Sequence, residues 1–317
     1  MTVVGIEGGL SRDHIVTVGQ GSAFDQIGGP GAFASIAAAL VAAAAGRAGL
    51  PAFSTRLFAV LPISERTVFE ALEKAGVDLA FCVPVGSIPR LWILNSPDGR
   101  RIVPTAVPTG AHELHDSQTE APVRAVLPPA DFYQNLSGLL RCSPQGAPAV
   151  AIPAGVVVAV DPDQSQLAER QWGYIDELVE STTVFLPSRV QLGQLGSDPY
   201  SAARALRERT GRSVLARFDA EGALALPAEG GAWWIRSEVG SIVDTTGAGD
   251  SHAAAALAAL ASPLAQGDLV NAATIAAATV AHTLSGWAAD GLLAELHRPS
   301  SPSLLENSAR VTVEKVD

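Results

Sequence analysis

The stretch "SIVDTTGAGDSHAAAAL", residues 241–257, places two close-set glycines between two aspartates and directly before an alanine-rich run. The run predicts a helix that begins near Asp250, and residues 237–244 before it predict a strand. A helix N-terminus presents unpaired N–H groups with partial positive charge, and glycines let that backbone approach a ligand closely. Gly247, Ala248 and Gly249 are therefore suited to hold an anion, above all a phosphoryl group.

Asp250 lies at the same helix start, where it would repel a bound phosphate unless it had a task of its own. A carboxylate in this position can accept the proton of an attacking hydroxyl. A simpler interpretation is that the motif is only a helix start, with Thr246 or Asp250 as the N-cap and the glycines in a tight turn. The motif alone leaves both interpretations open, and the rest of the chain decides between them.

Short apolar runs rich in β-branched residues alternate along the chain with longer Ala/Leu segments. The predicted strands are 1–6, 56–61, 156–161, 182–187 and 213–218, and the predicted helices are 31–46, 64–76, 168–181, 201–211 and 250–261. This alternation predicts βαβ units and an α/β fold, a doubly wound, mostly parallel sheet flanked by helices in a single domain, 1–317.

Two stretches break that alternation. Residues 14–20 and 90–106 predict exposed strands, the second a hairpin that turns at 97–99. We expect them to form a small β lid from about 14–27 and 85–108. Residues 108–130 predict a loop, and the tail after Pro299 predicts a loosely held end.

The composition argues against two classes of protein, those that bind nucleic acid and those that bind or span membranes. The chain has 317 residues, a net charge of −11 and no basic run, which argues against nucleic acid and anionic membranes as partners. Two cysteines suit a reducing cytoplasm, and no signal peptide is visible. The uncharged stretches 32–46 and 269–289 are respectively too short and too polar to span a bilayer.

Four segments together resemble one known family. "VDTTGAGDSHAAAAL" (243–257) resembles the second signature of the ribokinase-like (PfkB) carbohydrate and nucleoside kinases, and "IGGPGAFASIAAAL" (27–40) resembles the first. "VVGIEGGLSRDHIVTV" (3–18) resembles the family's first strand, with its substrate-binding aspartate at Asp13. "VAVDPD" (158–163) stands where the family has a strand that ends in Asp-Pro. The resemblance covers nearly the whole chain.

The resemblance implies an ATP-dependent kinase that uses Mg²⁺ to transfer the γ-phosphoryl group to a hydroxyl of a sugar, nucleoside or related small polyol. Asp250 would be the catalytic base, and the backbone of Gly247, Ala248 and Gly249 the anion hole. The residues that would contact the substrate are Asp13, Gly28, Gly29 and Phe33. Those that would lie at the nucleotide are Ser188, Gln191, Arg217, Asp219, Gly222 and Thr246. Asp244 would lie at a monovalent-cation site. In that family the lid often forms the contact of a homodimer.

The chain also departs from the family at several of these positions. Phe33 stands where an asparagine is usual, so it either stacks on a flat substrate group or packs under the lid. Ser188 and Gln191 replace the Asn and Glu of Pro-Asn-x-x-Glu, while Arg217 and Asp219 replace Thr-x-Gly. Arg217 could pair with a phosphate or be an exposed charge at a strand end. These departures leave a second hypothesis, a catalytically impaired member that acts as a small-molecule-binding or regulatory protein.

The remaining constellations are weak. A catalytic triad contains the same three residue types as Asp250, Ser251 and His252. However, side chains of consecutive residues at a helix start point in different directions. His112, His115 and Asp116 lack a fourth metal ligand. His282 lies in an apolar helix and is expected to be a core residue. No G-x-G-x-x-G follows the first strand, which argues against an NAD-dependent enzyme.

Overall fold

The computed structural model describes residues 2–63, 66–96, 99–105, 107–109, 112–114, 126–238, 240–298 and 304–316. The strands are β1 (Thr2–Glu7), β2 (Ser11–Thr17), β3 (Gly21–Gly28), β4 (Phe53–Phe58), β5 (Val60–Pro62), β6 (Val77–Asp78), β7 (Val83–Val85), β8 (Arg90–Ser96), β9 (Gly99–Thr105), β10 (Val107–Thr109), β11 (His112–Leu114), β12 (Leu136–Cys142), β13 (Val157–Asp161), β14 (Val184–Phe185), β15 (Ser213–Arg217), β16 (Ala223–Leu226), β17 (Ala232–Arg236) and β18 (Thr312–Val316). The helices are α1 (Pro30–Arg47), α2 (Arg66–Lys74), α3 (Gln164–Arg170), α4 (Trp172–Leu178), α5 (Arg189–Leu192), α6 (Pro199–Thr210), α7 (Ala248–Leu260), α8 (Leu269–Leu284), α9 (Asp290–Leu296) and α10 (Leu304–Ser308).

The main sheet has ten strands in the order β18-β17-β16-β15-β14-β13-β12-β1-β4-β6. All pairs from β6 to β15 are parallel, and β16, β17 and β18 extend that edge as antiparallel strands. The predicted α/β fold with a mostly parallel sheet is confirmed. Because parallel strands end at the same edge, the carboxyl ends of β1, β12, β13 and β15 lie side by side.

Two hydrophobic clusters cover the two faces of this sheet. Successive strand residues point to opposite sides, so Leu139 belongs to one cluster and Leu140 to the other. Alanine-rich α1, α7 and α8 pack on one face, where their short side chains allow close contact. Among the described residues, α1 alone has the length and hydropathy to span a bilayer, but 72% of it is buried, so it is a core helix.

A small sheet of four strands, in the order β3-β2-β8-β9, stands apart from the main one. It contains the predicted hairpin β8–β9, although turn residues 97 and 98 lie outside the described residues. Its strands span 11–28 and 90–105, so β2 begins earlier than predicted. Val85, at the predicted start of this unit, lies in β7, which pairs with β5 instead.

Three predicted elements differ in the structure. No strand occupies the described part of 237–244; β17 ends at Arg236, and the chain then approaches the glycine motif as irregular backbone. The predicted strand 56–61 is interrupted at Ala59, where the chain leaves the main sheet. The predicted helix 168–181 is divided at Gln171, whose φ of 48° is incompatible with a continuous helix.

Several strands are not predicted by the sequence, among them β12 and β18. β12 lies at the centre of the sheet, between β1 and β13, but Ser137, Gly138 and Arg141 interrupt its apolar pattern. Gly138 is needed because a Cβ there would lie 2.6 Å from the Ala261 side chain. The tail predicted to be loose forms α10 and then β18, which pairs with β17. Within the predicted loop 108–130, residues 107–109 pair with 112–114.

Candidate active site

The glycine motif lies at the carboxyl edge of the main sheet, where α7 begins. Gly247 is the N-cap of α7 and has a φ of 77°, a conformation that favours glycine. A Cβ on Gly247 would also lie 2.1 Å from the ring of Phe33. Glycine is therefore required here both by the turn and by the close approach of an aromatic ring.

Phe33 is only 1% exposed and packs in the core on the first turn of α1. Its ring supports the backbone of Gly247 from below, in a position where an asparagine would leave empty space. Of the two interpretations offered by the sequence, the structure favours packing, although beneath the glycine motif and not beneath the small sheet.

Asp250 lies on the first turn of α7 and is partly exposed. The pKa of this carboxyl is raised to about 6, mainly by burial and to a smaller extent by the charge of Asp161. The Arg217 and Arg100 guanidinium groups act in the opposite direction on the same pKa. A carboxyl with a pKa this close to neutrality is suited to accept a proton.

Asp13 is 1% exposed and accepts a hydrogen bond of 2.7 Å from the Ser11 hydroxyl. Burial raises its pKa to about 6, while Ser11 and Arg100 lower it. Its carboxylate lies over Gly28, where a Cβ would be 1.9 Å from Oδ2. Gly29 follows with a φ of 85° as the N-cap of α1. The structure thus brings Asp13 and the predicted glycine pair together.

Arg217 lies at the end of β15 and is largely, though not fully, buried, so it is not an exposed charge. One guanidinium nitrogen donates to Asp161 Oδ2 at 2.8 Å, and another donates to the carbonyl of Gly249. The two paired side chains are 11% and 10% exposed. Arg217 therefore joins the end of β13 to the first turn of α7, directly beside the proposed anion hole.

Gln191 and Ser188 form a capping box at the start of α5. The Gln191 carbonyl oxygen accepts from the Ser188 N–H, while its amide NH₂ donates to Asp161 Oδ1 at 2.9 Å and to the Pro162 carbonyl. Both carboxylate oxygens of Asp161 are thus in use by Gln191 and Arg217. No group of three or more His, Cys, Asp or Glu side chains within the described ranges could hold a metal. These residues do not fit a protein-bound Mg²⁺.

Asp244 is 1% exposed and accepts four hydrogen bonds. The donors are the N–H and hydroxyl of Thr246, the amide of Asn95 and the N–H of Ala288. Asp244 thus holds the motif loop and ties it to β8 of the small sheet. With these four hydrogen bonds, Asp244 does not fit as a ligand of a monovalent cation. The Thr246 hydroxyl is itself hydrogen-bonded to Asp244.

The turn after β15 contains Asp219 and Gly222. Asp219 is exposed with a φ of 54°, where the resembling family's glycine would be relaxed. Gly222 is required by packing, because a Cβ there would lie 2.3 Å from the Ile235 carbonyl oxygen. The turn is therefore kept in a glycine-like shape although one glycine is missing.

His252 and His282 are buried or half-buried and are not arranged as a catalytic triad. Burial lowers the pKa of His252 to about 3, and neither of its ring nitrogens has a hydrogen-bond partner among the described residues, which excludes a triad with Asp250 and Ser251. His282 lies 3.7 Å from the buried carboxylate of Glu295, between α8 and α9. The side chain of His112, together with His115 and Asp116, lies outside the described residues.

The sequence profile of the pfkB family carbohydrate kinases matches residues 37–287, which is most of the chain. The chain belongs to this family. Membership makes this pfkB protein a small-molecule phosphotransferase and implies ATP binding. A comparison with curated proteins finds no significant match.

Solved structures of similar fold include several other sugar and nucleoside kinases. A ribokinase from Cryptococcus neoformans var. grubii serotype A, in complex with ADP, has a TM-score of 0.66 at 17% identity, covering 98% of this chain and 100% of its own. A putative ribokinase II from E. coli with ATP and Mg²⁺ has 0.69 at 16%, covering 93% and 98%. Aminoimidazole riboside kinase from Salmonella enterica has 0.64 at 18%, covering 93% and 100%. At these identities the likeness shows the fold and leaves the substrate open.

Two residues at the candidate site carried no signal in the sequence. Asn95 and Arg100 lie in an ordinary-looking hairpin, yet Asn95 binds Asp244, and the charge of Arg100 acts on both Asp13 and Asp250. Only the pairing of β8 with β9 and the position of the small sheet bring these residues to the site.

Proposed function

We propose that this pfkB protein is an active ATP-dependent kinase that transfers the γ-phosphoryl group to a hydroxyl of a sugar, nucleoside or related small polyol. One observation carries the proposal. The carboxyl of Asp250, with its pKa raised to about 6, lies on the first turn of α7, beside the backbone N–H groups of the glycine motif, where the Ala248 N–H makes a 3.3 Å turn bond to the Thr245 carbonyl. A proton acceptor and an anion-binding backbone are the two features that phosphoryl transfer most needs.

The transfer step follows from this geometry. Asp13, with the backbone of Gly28 and Gly29, holds hydroxyls of the acceptor. The attacking hydroxyl oxygen forms a bond to the γ-phosphorus as the bond from that phosphorus to the β-bridging oxygen breaks, and ADP leaves. The hydroxyl proton passes to the carboxylate of Asp250. The N–H groups at Gly247, Ala248 and Gly249 donate to the oxygens of the transferring group.

On the nucleotide side, we propose that Arg217 contacts a phosphate with its planar guanidinium. Four further residues shape that side of the site, because their side chains or backbones make contacts within the protein. They are Ser188, Gln191, Asp219 and Gly222. The nucleotide phosphates themselves would carry Mg²⁺, which keeps most of its water shell when bound. The free Cys82 and Cys142 fit a reducing cytoplasm as the place of action.

The binding-protein alternative also has an observation in its favour. Asp161 is already paired with Arg217 and Gln191, so the nucleotide side is occupied by internal bonds. In that case the protein would bind a small molecule without transferring a phosphoryl group.

The deciding experiment measures ADP formation across sugars, nucleosides and polyols, together with ATP binding by calorimetry over a range of Mg²⁺ concentrations. We expect ATP to bind and at least one acceptor to be phosphorylated. Asp250→Asn should keep ATP binding while kcat falls about 100-fold or more. If ATP binds at no Mg²⁺ concentration, the kinase proposal fails and the binding-protein alternative replaces it.

We also propose a homodimer through the outer face of the small sheet. His14, Phe24 and Trp92 form an aromatic cluster there, and Phe24 is 54% exposed. Leu94 and Val103 extend the exposed apolar surface, and such surfaces mark interaction sites. Sedimentation of the parent and of Phe24→Ser should show a dimer and a monomer, respectively; an unchanged dimer would place the contact elsewhere.

A further inference from the structure

The inner face of the small sheet is turned towards the glycine motif. Arg100 on β9 lies directly opposite Asn95 on β8, and directly opposed residues of antiparallel strands share a face. The Asn95 amide donates to Asp244 at 3.2 Å and to the Thr17 hydroxyl at 3.3 Å. Arg100 therefore lies on the face that contacts the motif loop.

Asp13 lies on this same inner face. Asp13, Ile15 and Thr17 are every second residue along β2, and every second residue of a strand points to the same side. Thr17 is the residue bonded to Asn95, which places the whole row opposite the motif. Asp13 and Arg100 therefore extend from two strands of one small sheet towards the space in front of Asp250.

The charge of Arg100 reaches both carboxyl groups of the site. It lowers the pKa of Asp13 and the pKa of Asp250, although these residues come from different parts of the fold. Arg100 is exposed, and no ion pair joins it to another described residue. By contrast, Arg12 and Arg90 of the same sheet both pair with Asp25.

An acceptor that carries only hydroxyls needs no cation for recognition, because Asp13 and backbone groups suffice. An acceptor that carries an anion would be repelled by Asp13 and Asp250 unless a cation lay between them. A guanidinium binds carboxylates and phosphates through paired N–H donors. On the edge strand β9 there is room for such a group, since Ile102 on the inner face is 53% exposed.

We infer that Arg100 binds an anionic group of the acceptor, so that the substrate class is a sugar acid or sugar phosphate with a free hydroxyl for transfer. This inference rests on the proposed kinase function but is tested separately, by acceptor binding in the absence of nucleotide. Carboxylate and phosphate share the recognition chemistry, and the choice of acceptors distinguishes them.

The experiment compares neutral acceptors with anionic counterparts: ribose with ribonate and ribose 1-phosphate, and glucose with gluconate and glucose 6-phosphate. Binding to the full chain is measured by calorimetry, and kcat/KM is measured where turnover occurs. The variants are Arg100→Gln and, as a matched control, Arg101→Gln. Arg101 is the next residue of β9, is also exposed and lies opposite Leu94 on the outer face.

We expect an anionic acceptor to bind at least about tenfold more tightly than its neutral counterpart, a difference that Arg100→Gln abolishes and Arg101→Gln keeps. A preference for ribonate and gluconate would identify a carboxylate, and a preference for the sugar phosphates a phosphate. The inference is overturned if neutral acceptors bind as well as anionic ones, if no anionic acceptor binds, or if Arg100→Gln weakens both classes equally. The last result would mean that Arg100 acts only on the two aspartates. Failure of the kinase proposal would show differently, as acceptor binding without ADP formation.

Discussion

At the scale of single residues, two carboxyl groups dominate the site, that of the buried Asp13 and that of the partly exposed Asp250. Asp13 and Asp250 both have a pKa raised to about 6, and in each case burial is the largest cause. The protein therefore holds two carboxyl groups that change protonation about two pH units nearer to neutrality than an ordinary aspartate. Such poised groups are typical of catalytic sites and are costly for stability, so each gives a measurable prediction.

The first prediction concerns the pH dependence of activity. A carboxyl that carries its proton cannot accept another, so kcat/KM should fall as the pH decreases through about 6. Because Asp13 loses its charge in the same range, the slope of the logarithmic plot should lie between one and two. A pH–rate profile measures this, and constant activity down to pH 5 would contradict the assignment.

The second prediction concerns stability. The folded protein binds the Asp250 proton with a pKa of about 6, against an ordinary value of 3.8, so folding favours the protonated form. The free energy of unfolding therefore decreases as the pH rises from about 4 to about 6. Asp250→Asn removes this penalty and should stabilise the protein by on the order of 1 kcal/mol at pH 7.5. Thermal unfolding at pH 7.5 and pH 4 measures it: the gain should be present at the first pH and absent at the second.

The third prediction compares the two glycines of the motif. Gly247→Ala would strain a positive φ and press a methyl group into the ring of Phe33, so it should cost about 3 kcal/mol or more. In Gly249→Ala the new methyl would lie 3.4 Å from Arg217, an ordinary contact, and should cost less than about 1 kcal/mol. Denaturant unfolding of the two variants gives the comparison. Equal losses would mean that Phe33 does not support the motif.

At the scale of elements, short helices and strand ends are joined by polar side chains around Asp161. The capping box of α5 orients Gln191 towards this carboxylate, and Arg217 approaches it from the end of β15. In the resembling family a glutamate stands at position 191. Here the neutral amide is a hydrogen-bond donor, and the donor is needed because Asp161 accepts from it.

The fourth prediction follows from that donor. Gln191→Glu would place a carboxylate oxygen against Asp161 Oδ1, where the amide now donates at 2.9 Å. At pH 7 we expect the free energy of unfolding to decrease by about 1–3 kcal/mol, and less at lower pH, where a shared proton relieves the repulsion. Adding Asp161→Asn should recover part of the loss in a double-mutant cycle measured by denaturant unfolding. Additive losses would contradict the contact.

At the scale of the whole molecule, the site is shared between two sheets. The main sheet supplies Asp161, Arg217 and the start of α7, whereas the small sheet supplies Asp13 and Arg100. The hydrogen bond from Asn95 to Asp244 is a direct polar link between the small sheet and the motif loop. The relative position of the two sheets should therefore depend on that one side chain.

The fifth prediction tests this link. Asn95→Ala removes the donor to Asp244, so the small sheet should be held less firmly over the motif. We expect KM for the acceptor to rise several-fold while ATP affinity is unchanged, because the nucleotide residues lie on the main sheet. Steady-state kinetics and calorimetry separate the two effects. Ser96→Ala, on the adjacent exposed residue, is the control and should leave both values near those of the parent.

The sequence by itself determined the fold class, and it predicts the chemistry of the motif. Continuous apolar runs alternating with alanine-rich segments allow few arrangements other than a parallel sheet covered by helices, and a glycine pair before a helix has an anion-binding backbone wherever it occurs. The tertiary structure alone decided what surrounds that motif. The roles of Gln191 and Arg217 depend on Asp161, which lies 30 and 56 residues away from them along the chain. The role of Phe33 depends on Gly247, which is still more distant. Strand β12, tail strand β18 and the position of Arg100 likewise depend on long-range pairing, which local periodicity does not encode.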